Sequence, residues 1–240
     1  MIEPDWPTPP GVEAASTERT GGVSVGPYAS LNLGDHVGDR PAHVLANRGA
    51  LVRALGLPSE PCWLEQVHGM RVLDLDREAP GAADGAVSST PGQVCAILTA
   101  DCLPVLLAAR EGGRVGAAHA GWRGLLAGVL PAAVACMGVS PESIMAWLGP
   151  AIGPASYEVG ADVRGAFVAT DPAAERYFVP GRPGHWYADL YGLARASLMA
   201  AGVAAVYGGG HCTYAEPGRF FSHRRQAPCG RMATLIWLAA

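Results

Sequence analysis

The chain has 240 residues, of which 50% are hydrophobic and 16% are charged, and its formal net charge at pH 7 is −4. This length and composition are enough for the hydrophobic core of one large domain. The negative charge and the absence of a basic run argue against a nucleic-acid-binding protein, and no stretch of about 18 residues is apolar enough to span a membrane.

The first residues, MIEPDWPTPPG, lack the basic and apolar regions of a secretory signal. We therefore expect a cytoplasmic protein. Its six cysteines are dilute in a chain of this length and form no CxxC pair, so reduced thiols are expected rather than disulfides.

The N-terminal part of the chain is rich in proline and glycine. Residues 1–15 are predicted to be an extended segment ahead of a single domain over residues 16–240. The stretch GGVSVGPYASLNLGDHVGD that follows is typical of a long loop, and its apolar residues indicate that it is packed. Asn32 and His36 are polar groups that this loop could present to a ligand, or they only build its turns.

The first clear helix is predicted over residues 41–56, because Pro41 suits a first helical turn and Gly56 suits a helix end. Arg48 lies beside the apolar stripe of this helix. An arginine in that position is typical of a paired or ligand-facing guanidinium.

Two short strands are predicted next, over residues 61–69 and 71–76. The first ends in Gln66, His68 and a glycine, and the link to the second is too short for another element. His68 is therefore expected at a bend between strands. A polar connection rich in glycine and proline follows over residues 77–92.

The stretch from residue 93 to 124 organises the rest of the chain. Its continuous apolar runs predict strands over residues 94–98, 103–109 and 114–120. Asp101 and Cys102 occupy the turn between the first two strands, and His119 lies near the end of the third. Cys102 and His119 can therefore converge at one rim of a sheet.

Strands and helices interleave through the remainder of the chain, so we expect an α/β or mixed α+β fold. Helical spacing or helix-forming composition is found over residues 124–137, 156–170, 172–178 and 186–201. Strand patterns are found over residues 143–150, 204–210, 219–225 and 231–238.

Three predicted strand ends carry groups that bind metals: His68, Cys102 and His119. Two imidazoles and one thiolate suit Zn²⁺ with an open fourth position, which is typical of a catalytic rather than a structural site. An alternative is a metal-free dyad in which Cys102 is a thiolate nucleophile and His119 is its base. Asp101 could orient a histidine, act as a general base, or only cap its turn.

A set of motifs in fixed order carries a specific resemblance: GGVSVGPYASLNLGDHVGD, WLEQVHG, TADCLPVLL, AAHAGWRG, WLGPAIGP, CTYAEPGRFFSHRR and GRMATLIWL. They resemble the laccase-domain family, whose older name is multicopper polyphenol oxidase. Its members are understood as purine nucleoside phosphorylases with adenosine deaminase activity. The resemblance runs from about Thr17 to Leu238.

This resemblance implies a four-layer α/β/β/α sandwich with mixed sheets. It implies a zinc ion held by the residues that match the family's ligands, His68, Cys102 and His119. It also implies phosphorolysis of adenosine, inosine, guanosine or methylthioadenosine to the base and ribose 1-phosphate, by a protein that is mainly monomeric. The chain departs from the family pattern at His223, where a tyrosine is usual, and at His211.

Phosphorolysis needs groups that bind phosphate and groups that help the base to leave. Arginines supply bidentate contacts to phosphate oxygens. Asp101 and His36 could stabilise positive charge at C1′ or protonate the departing base. The residues that we expect to bind substrate or phosphate are Asn32, Arg48, Gln66, Arg123, Arg224 and Arg225. Arg123 also lies at a predicted helix start, where free backbone N–H groups favour an anion.

Other functions are compatible with parts of the sequence. A blue-copper site also uses two histidines and one cysteine, and Cu²⁺ outcompetes Zn²⁺ at most such sites. A copper-dependent polyphenol oxidase also needs a cluster built from many imidazoles, typically in H-x-H pairs, whereas this chain has seven histidines and no such pair. The further alternatives are a Cys–His hydrolase using Cys102 and His119, and a protein that only senses a nucleoside.

Overall fold

The central strands are continuous apolar runs because both of their faces are covered. The computed structural model describes all residues 1–240 and contains twelve strands and five α-helices. In chain order they are β1 (Val12–Ser16), α1 (Pro41–Leu55), β2 (Val72–Asp74), β3 (Gly85–Ser88), β4 (Cys95–Thr99), β5 (Leu103–Ala109), β6 (Val115–Ala120), α2 (Trp122–Ala127), α3 (Val129–Cys136), β7 (Ile144–Leu148), β8 (Glu158–Gly160), α4 (Ala161–Thr170), β9 (Phe178–Pro180), β10 (His185–Ala188), α5 (Leu190–Ala200), β11 (Ala205–Gly208) and β12 (Met232–Leu238).

The strands form three sheets. The largest has six strands in the order β11-β7-β5-β6-β3-β2, with parallel pairs at both edges and antiparallel pairs between them. A second sheet, β1-β12-β4, is antiparallel, and a small antiparallel sheet has the order β8-β10-β9. Strand β1 pairs along β12, so residues of the predicted N-terminal segment 1–15 contribute to the second sheet.

Alternate residues of the same strand face different cores, and this alternation defines four layers. Ile97 of β4 packs with Leu106 of β5 between the two large sheets, which are the six-stranded sheet and the β1-β12-β4 sheet. Leu98 of β4 packs with Leu51 of α1 on the outer side of the three-stranded sheet. Leu107 of β5 packs in the largest core with residues of α2, α3 and α5. The predicted four-layer α/β/β/α sandwich with mixed sheets is confirmed.

Two glycines with positive φ determine where helices end. Gly56 closes α1 in the left-handed conformation (φ 58°), as predicted from the sequence. Gly128 adopts φ 96° and separates α2 from α3. The single helical run predicted over residues 124–137 is therefore two helices.

Two predicted strands are wrong. Residues 61–69 form only isolated bridges, and the backbone N–H groups of residues 67–69 donate to the Asp84 carboxylate rather than to a neighbouring strand. Residues 219–225 form turns instead of an edge strand, because the Arg224 N–H donates to Asp101 and the Arg225 N–H donates to Ser222.

The predicted helix over residues 186–201 begins too early. Its first residues belong to β10, and α5 starts only after Asp189, whose carboxylate accepts a hydrogen bond from the Gly192 N–H. Similarly, the segment predicted as helical over residues 156–170 starts with β8, and residues 172–177 form a 3-10 helix. All six cysteines are free thiols. The structure contains no helix that combines the length and apolarity needed to cross a membrane.

Candidate metal centre

Three side chains from separate parts of the chain meet at one end of the two large sheets. Cys102 lies in the turn that carries the chain from β4 to β5, and His119 lies one residue before the end of β6, paired with Pro104 of β5. His68 lies in the loop before β2. The donor atoms of His68, Cys102 and His119 all lie within 4.8 Å of one another. The convergence predicted from the strand ends is confirmed.

The turn that carries Cys102 is held by its neighbour. Asp101 adopts φ 89°, a conformation that is rare outside glycine. Its Oδ1 accepts a hydrogen bond from Thr213 Oγ1 at 2.6 Å, and its Oδ2 accepts one from the Arg224 N–H at 2.7 Å. These two bonds tie the Cys102 turn to the C-terminal part of the chain.

A glycine provides the space in which the cluster packs. A Cβ atom at Gly121 would lie 2.9 Å from Cys102 Sγ and 3.3 Å from His68 Cδ2. Real Cβ atoms essentially never come within 3.0 Å of another atom, so only glycine fits between β6 and α2 without displacing Cys102.

Asp84 is the residue of the centre that the sequence analysis missed. It is fully buried, and its Oδ1 lies 2.8 Å from His119 Nδ1. Its carboxylate also accepts hydrogen bonds from the N–H groups of Val67 at 3.2 Å, His68 at 2.9 Å and Gly69 at 2.6 Å. The only signal in the sequence is a lone carboxylate directly before the apolar residues of β3.

The tautomer of His119 follows from this contact. An ionised carboxylate accepts but cannot donate, so Nδ1 of His119 carries the proton that is shared with Asp84. Nε2 is then the ring nitrogen that remains for a ligand. This is the arrangement of metal-bound histidines, whose second nitrogen donates to a carboxylate.

Charge interactions inside the cluster oppose the effect of burial. Burial raises the pKa of Cys102, but the adjacent His119 and His68 outweigh it and lower that pKa to about 6. Burial lowers the pKa of His119, but Cys102 and Asp84 raise it to about 9. Burial likewise raises the pKa of Asp84, and the hydrogen bonds from His119 and the loop backbone hold it below its usual range. Between about pH 6 and about pH 9, Cys102 is therefore a thiolate beside the imidazolium of His119.

The donor set fits zinc. Tetrahedral zinc, with bonds of about 2.0–2.3 Å to nitrogen and sulfur, separates its ligand atoms by roughly 3.5 Å. Cys102 Sγ and His68 Nε2 are 4.0 Å apart, so a small adjustment brings them to bonding positions. Three protein donors leave a fourth position open, as in catalytic sites.

The cluster forms part of the wall of a cavity of about 380 Å³. Aromatic and positively charged side chains also line this cavity. Besides His68, Cys102 and His119, the lining residues are His36, Gln66, Leu98, Thr99, Ala100, Asp101, Trp122, Arg123, Ile152, Tyr157, His223, Arg224 and Arg231.

Besides Cys102, five residues that were predicted to act on substrate line this cavity: Asp101, His36, Gln66, Arg123 and Arg224. The Arg123 guanidinium lies 4.5 Å from the centre of the Trp122 ring and makes no hydrogen bond within the protein. Arg224 Nη1 donates to the Glu158 carbonyl at 2.6 Å. Arg231, which was not predicted, also lines the cavity, but its Nη1 donates to the carbonyls of Cys229 and Gly230.

Gln66 borders the same cavity, but its amide is committed elsewhere. It donates to the Leu98 carbonyl at 2.8 Å and accepts from the Leu98 N–H at 2.7 Å. The bond pair fixes the loop before His68 to β4. Gln66 therefore shapes the cavity wall.

Asn32 and Arg225 are not brought to the cavity. Asn32 is fully buried. Its side-chain amide donates to the Gly34 carbonyl and the Asp39 carboxylate, and it accepts from the N–H groups of Gly34 and Arg231. Arg225 donates to the carbonyls of Thr213, Tyr214 and Phe220. Both side chains are used to satisfy backbone groups of the loops that surround the site.

The two histidines at which the sequence departs from the family pattern lie in different places. His223 is an exposed residue on the rim of the cavity. His211 lies outside it, with Nδ1 3.3 Å from Arg219 Nη1 and its ring against Phe220.

Arg48 lies in a second chamber of about 470 Å³ that adjoins the first cavity. The two spaces share His36, Gln66 and Leu98 as lining residues. The other lining residues of the chamber are Asp35, Trp63, Leu64 and Glu65.

Comparison with known proteins gives a consistent set of relatives. Residues 13–239 match the model of a family described as multi-copper polyphenol oxidoreductase laccase. The purine nucleoside phosphorylase YfiH of Escherichia coli K12 is 55% identical over 240 residues, covering 99% of this chain and 98% of the relative. A purine nucleoside phosphorylase of Xylella fastidiosa Temecula1 is 56% identical over 251 residues, covering 99% and 96%.

Solved structures with the same fold span nearly the whole chain. A crystal structure of a Neisseria meningitidis protein has a TM-score of 0.95 at 48% identity and covers 100% of this chain and 99% of that one. YlmD from Geobacillus stearothermophilus has a TM-score of 0.92 at 35% identity, with coverage of 98% and 94%.

The family description and the names of the relatives point to different chemistry. A multi-copper site needs several groups of imidazole ligands. This chain has seven histidines, and the structure gathers only one group of three metal-binding side chains. The ligands for a trinuclear copper cluster are absent.

Proposed function

This chain belongs to the family described as multi-copper polyphenol oxidoreductase laccase, and we propose that it is a zinc-dependent purine nucleoside phosphorylase that also deaminates adenosine. The proposed substrates of phosphorolysis are adenosine, inosine, guanosine and methylthioadenosine. The names of relatives 55% and 56% identical to it support the phosphorylase activity. The observation that carries the proposal is a single cavity lined by both the three metal-binding side chains and the arginines.

His68, Cys102 and His119 would hold the zinc ion. When bound, zinc supplies a Lewis acid that activates water for attack on an aminopurine. Asp84 fixes the orientation of His119 and the backbone at His68, so the protein prepares two of the three ligands before the metal binds.

The cavity offers separate groups for the base and for the polar parts of the substrates. The rings of Trp122 and Tyr157 give the cavity aromatic surface against which a purine can pack. Arg123 has all of its N–H donors free for ribose hydroxyl or phosphate oxygens. Arg224 lines the same space.

Phosphorolysis breaks the bond between C1′ and the purine nitrogen while a phosphate oxygen bonds to C1′. The electron pair of the broken bond leaves with the purine, which takes up a proton. We assign Asp101 to stabilising the positive charge that develops at C1′, because Thr213 and Arg224 hold its carboxylate in place. We assign His36, whose side chain is 57% exposed at the rim, to delivering the proton.

The test is product analysis with protein that has been purified without added metal. It is incubated with adenosine in the presence and in the absence of phosphate, and the products are separated by chromatography. The proposal predicts inosine from deamination with or without phosphate. It predicts ribose 1-phosphate, adenine and hypoxanthine only with phosphate, because each requires cleavage of the glycosidic bond. Cys102→Ala should abolish turnover, whereas Cys136→Ala, outside the cavity, should retain it.

Other outcomes of the same assay would assign the cavity differently. Oxidation of a phenol that depends on copper, without nucleoside turnover, would indicate an oxidase. Turnover that survives complete removal of metal and is lost in Cys102→Ala would indicate that Cys102 acts as a nucleophile with His119 as its base.

A further inference from the structure

We infer that the chamber around Arg48 is a phosphate-oxyanion subsite beside the metal-centre cavity. The inference rests on the proposed function for the identity of the co-substrate, but its binding chemistry follows from the chamber itself.

The Arg48 guanidinium is held in place before any ligand arrives. Its Nε donates to the Leu33 carbonyl at 3.0 Å, and its planar group lies 4.4 Å from the centre of the Trp63 ring. The Arg48 side chain is only 14% exposed. A guanidinium fixed in this way loses little conformational entropy when it binds an anion.

Apart from Nε, the nitrogens of this guanidinium donate no hydrogen bond within the protein. Nη2 is buried and makes no hydrogen bond. The nearest carboxylate oxygen, Asp35 Oδ2, lies at 3.3 Å but is not hydrogen-bonded to it. A buried donor without a partner is costly, so the chamber favours a ligand that accepts from Nη2. A phosphate oxygen pair matches the fork of donors that a guanidinium presents.

Asp35 behaves as a weak stand-in for that ligand. Its side chain is 64% exposed, and its carboxylate accepts no hydrogen bond. Because this carboxylate is mostly solvent-exposed and is held by no hydrogen bond, a phosphate can displace it from the Arg48 guanidinium at low cost. Glu65, the other carboxylate of the chamber, is an exposed residue.

The position of the chamber suits phosphorolysis. The attacking phosphate and the departing base lie on opposite sides of C1′, so the reaction needs two neighbouring compartments. The chamber and the cavity share walls formed by His36, Gln66 and Leu98. The bound group is inorganic phosphate or the 5′-phosphoryl group of a purine nucleotide, since both present the same oxyanion.

Calorimetric titration of the full-length protein with inorganic phosphate tests the subsite without requiring turnover. Arg48→Ala should weaken phosphate binding by about tenfold or more, and Arg48→Lys by less, because lysine keeps the charge but loses the fork. Asp35→Asn should tighten binding by about two- to fivefold, because it removes the competing carboxylate. Arg53→Ala, on the exposed side of the same helix, is the matched control and should change nothing.

Opposite effects of the Arg48 and Asp35 variants separate ligand binding from a purely structural role. Affinities for inorganic phosphate and for AMP that are both unchanged in both Arg48 variants would overturn the inference. Weaker binding in Asp35→Asn would overturn it as well. If phosphate binds through Arg48 but no nucleoside is cleaved, the subsite stands and the proposed function fails.

Kinetics distinguish the two sources of the oxyanion. If Arg48→Ala raises the KM for phosphate and leaves the KM for adenosine unchanged, the ligand is inorganic phosphate. If it abolishes inhibition by AMP and leaves the KM for phosphate unchanged, the ligand is a 5′-phosphoryl group. If neither parameter changes while adenosine is still cleaved, the inference is wrong and the proposed function stands.

Discussion

Oδ1 of Asp84 lies 2.8 Å from Nδ1 of His119, and the same carboxylate binds the backbone N–H of His68 at 2.9 Å. One buried carboxylate therefore orients two metal-binding histidines that belong to different parts of the chain. It also provides the negative charge that balances an imidazolium or a metal cation in a buried position.

Replacing Asp84 by asparagine should weaken zinc binding about 10- to 100-fold, the usual effect of losing such a partner. Asparagine carries no charge and has one acceptor oxygen, which can replace Oδ1 beside His119 and the His68 N–H, but its NH2 group cannot accept from Val67 and Gly69 as Oδ2 does. Competition with a chromogenic chelator measures the affinity. Asp162→Asn, at an exposed position in α4, is the control, and unchanged zinc affinity in Asp84→Asn would contradict this role.

Replacing Gly121 by alanine should disturb the cluster while leaving the fold intact. The new Cβ would lie 2.9 Å from Cys102 Sγ and 3.3 Å from His68 Cδ2, so the thiol must leave its present position in the cluster. We expect zinc binding to be at least about tenfold weaker, because Cys102, one of the three metal-binding side chains, is misplaced.

Gly165→Ala is the matched control for this substitution. A Cβ at Gly165 meets nothing within 4 Å, and alanine in the middle of α4 should stabilise the protein by about 0.5–1 kcal/mol. Zinc binding by Gly121→Ala at the wild-type level would show that the close contact does not matter.

Metal-free Cys102 should react with iodoacetamide at unusually low pH. Its pKa is lowered to about 6 by His119 and His68 against the effect of burial, so the thiolate should form well below the range of an ordinary cysteine. Mass spectrometry of the Cys102 peptide as a function of pH measures the midpoint. The Cys136 peptide is an internal reference, because burial raises the pKa of that thiol. A Cys102 midpoint above 8 would contradict the thiolate–imidazolium pair.

The same pair should make the stability of metal-free protein depend on pH. The contribution of Cys102 to the free energy of unfolding is fully present above the ordinary cysteine pKa of 9.0, and it is lost as the pH falls through about 6. The His119 contribution is fully present below its ordinary pKa of 6.5 and is lost as the pH rises through about 9. The two overlap between about 6 and 9. Urea unfolding across this range should show a broad maximum that flattens in Cys102→Ala, and identical profiles would contradict the prediction.

Asp76 should support the fold independently of the site. Its carboxylate accepts hydrogen bonds from Ser88, Ser89 and Thr90 and pairs with Arg114 at 2.6 Å. Burial raises its pKa, but these hydrogen bonds outweigh burial and hold the pKa well below its usual range. This stabilisation is present above the ordinary pKa of 3.8 and is lost as the pH falls below it.

Asp76→Asn should therefore cost about 1–3 kcal/mol of unfolding free energy at pH 7. The measurement is urea denaturation at pH 7 and at pH 3, with the exposed Glu111→Gln as control. The difference from wild type should shrink at the lower pH. A constant difference at both pH values would argue against the ionised carboxylate as the source of the stability.

The sequence predicted the parts of the centre that lie at strand ends. Continuous apolar runs defined β4, β5 and β6, and the polar residues that interrupt or end them, Cys102 and His119, could be assigned to one rim. Asp84 could not be found in this way. Its role depends on the return of the 67–69 loop to β3, and a single carboxylate in a link rich in alanine and glycine carries no sign of that contact.

The arginines show a second limit of sequence analysis. An arginine motif does not reveal whether its donors face a ligand or the backbone. Arg225 uses its donors on three loop carbonyls, whereas the neighbouring Arg224 lines the cavity. Both arginines lie in one turn, and the Arg224 N–H in that turn donates to Asp101, more than 120 residues earlier in the chain.

Titration of zinc into metal-free protein, with adenosine phosphorolysis measured at each step, tests the central claim most directly. The account predicts that phosphate-dependent release of adenine rises with bound zinc and reaches its maximum at one zinc per chain, and that Cys102→Ala neither binds the metal nor gains activity. Full activity in metal-free protein, or phosphorolysis by Cys102→Ala, would contradict it.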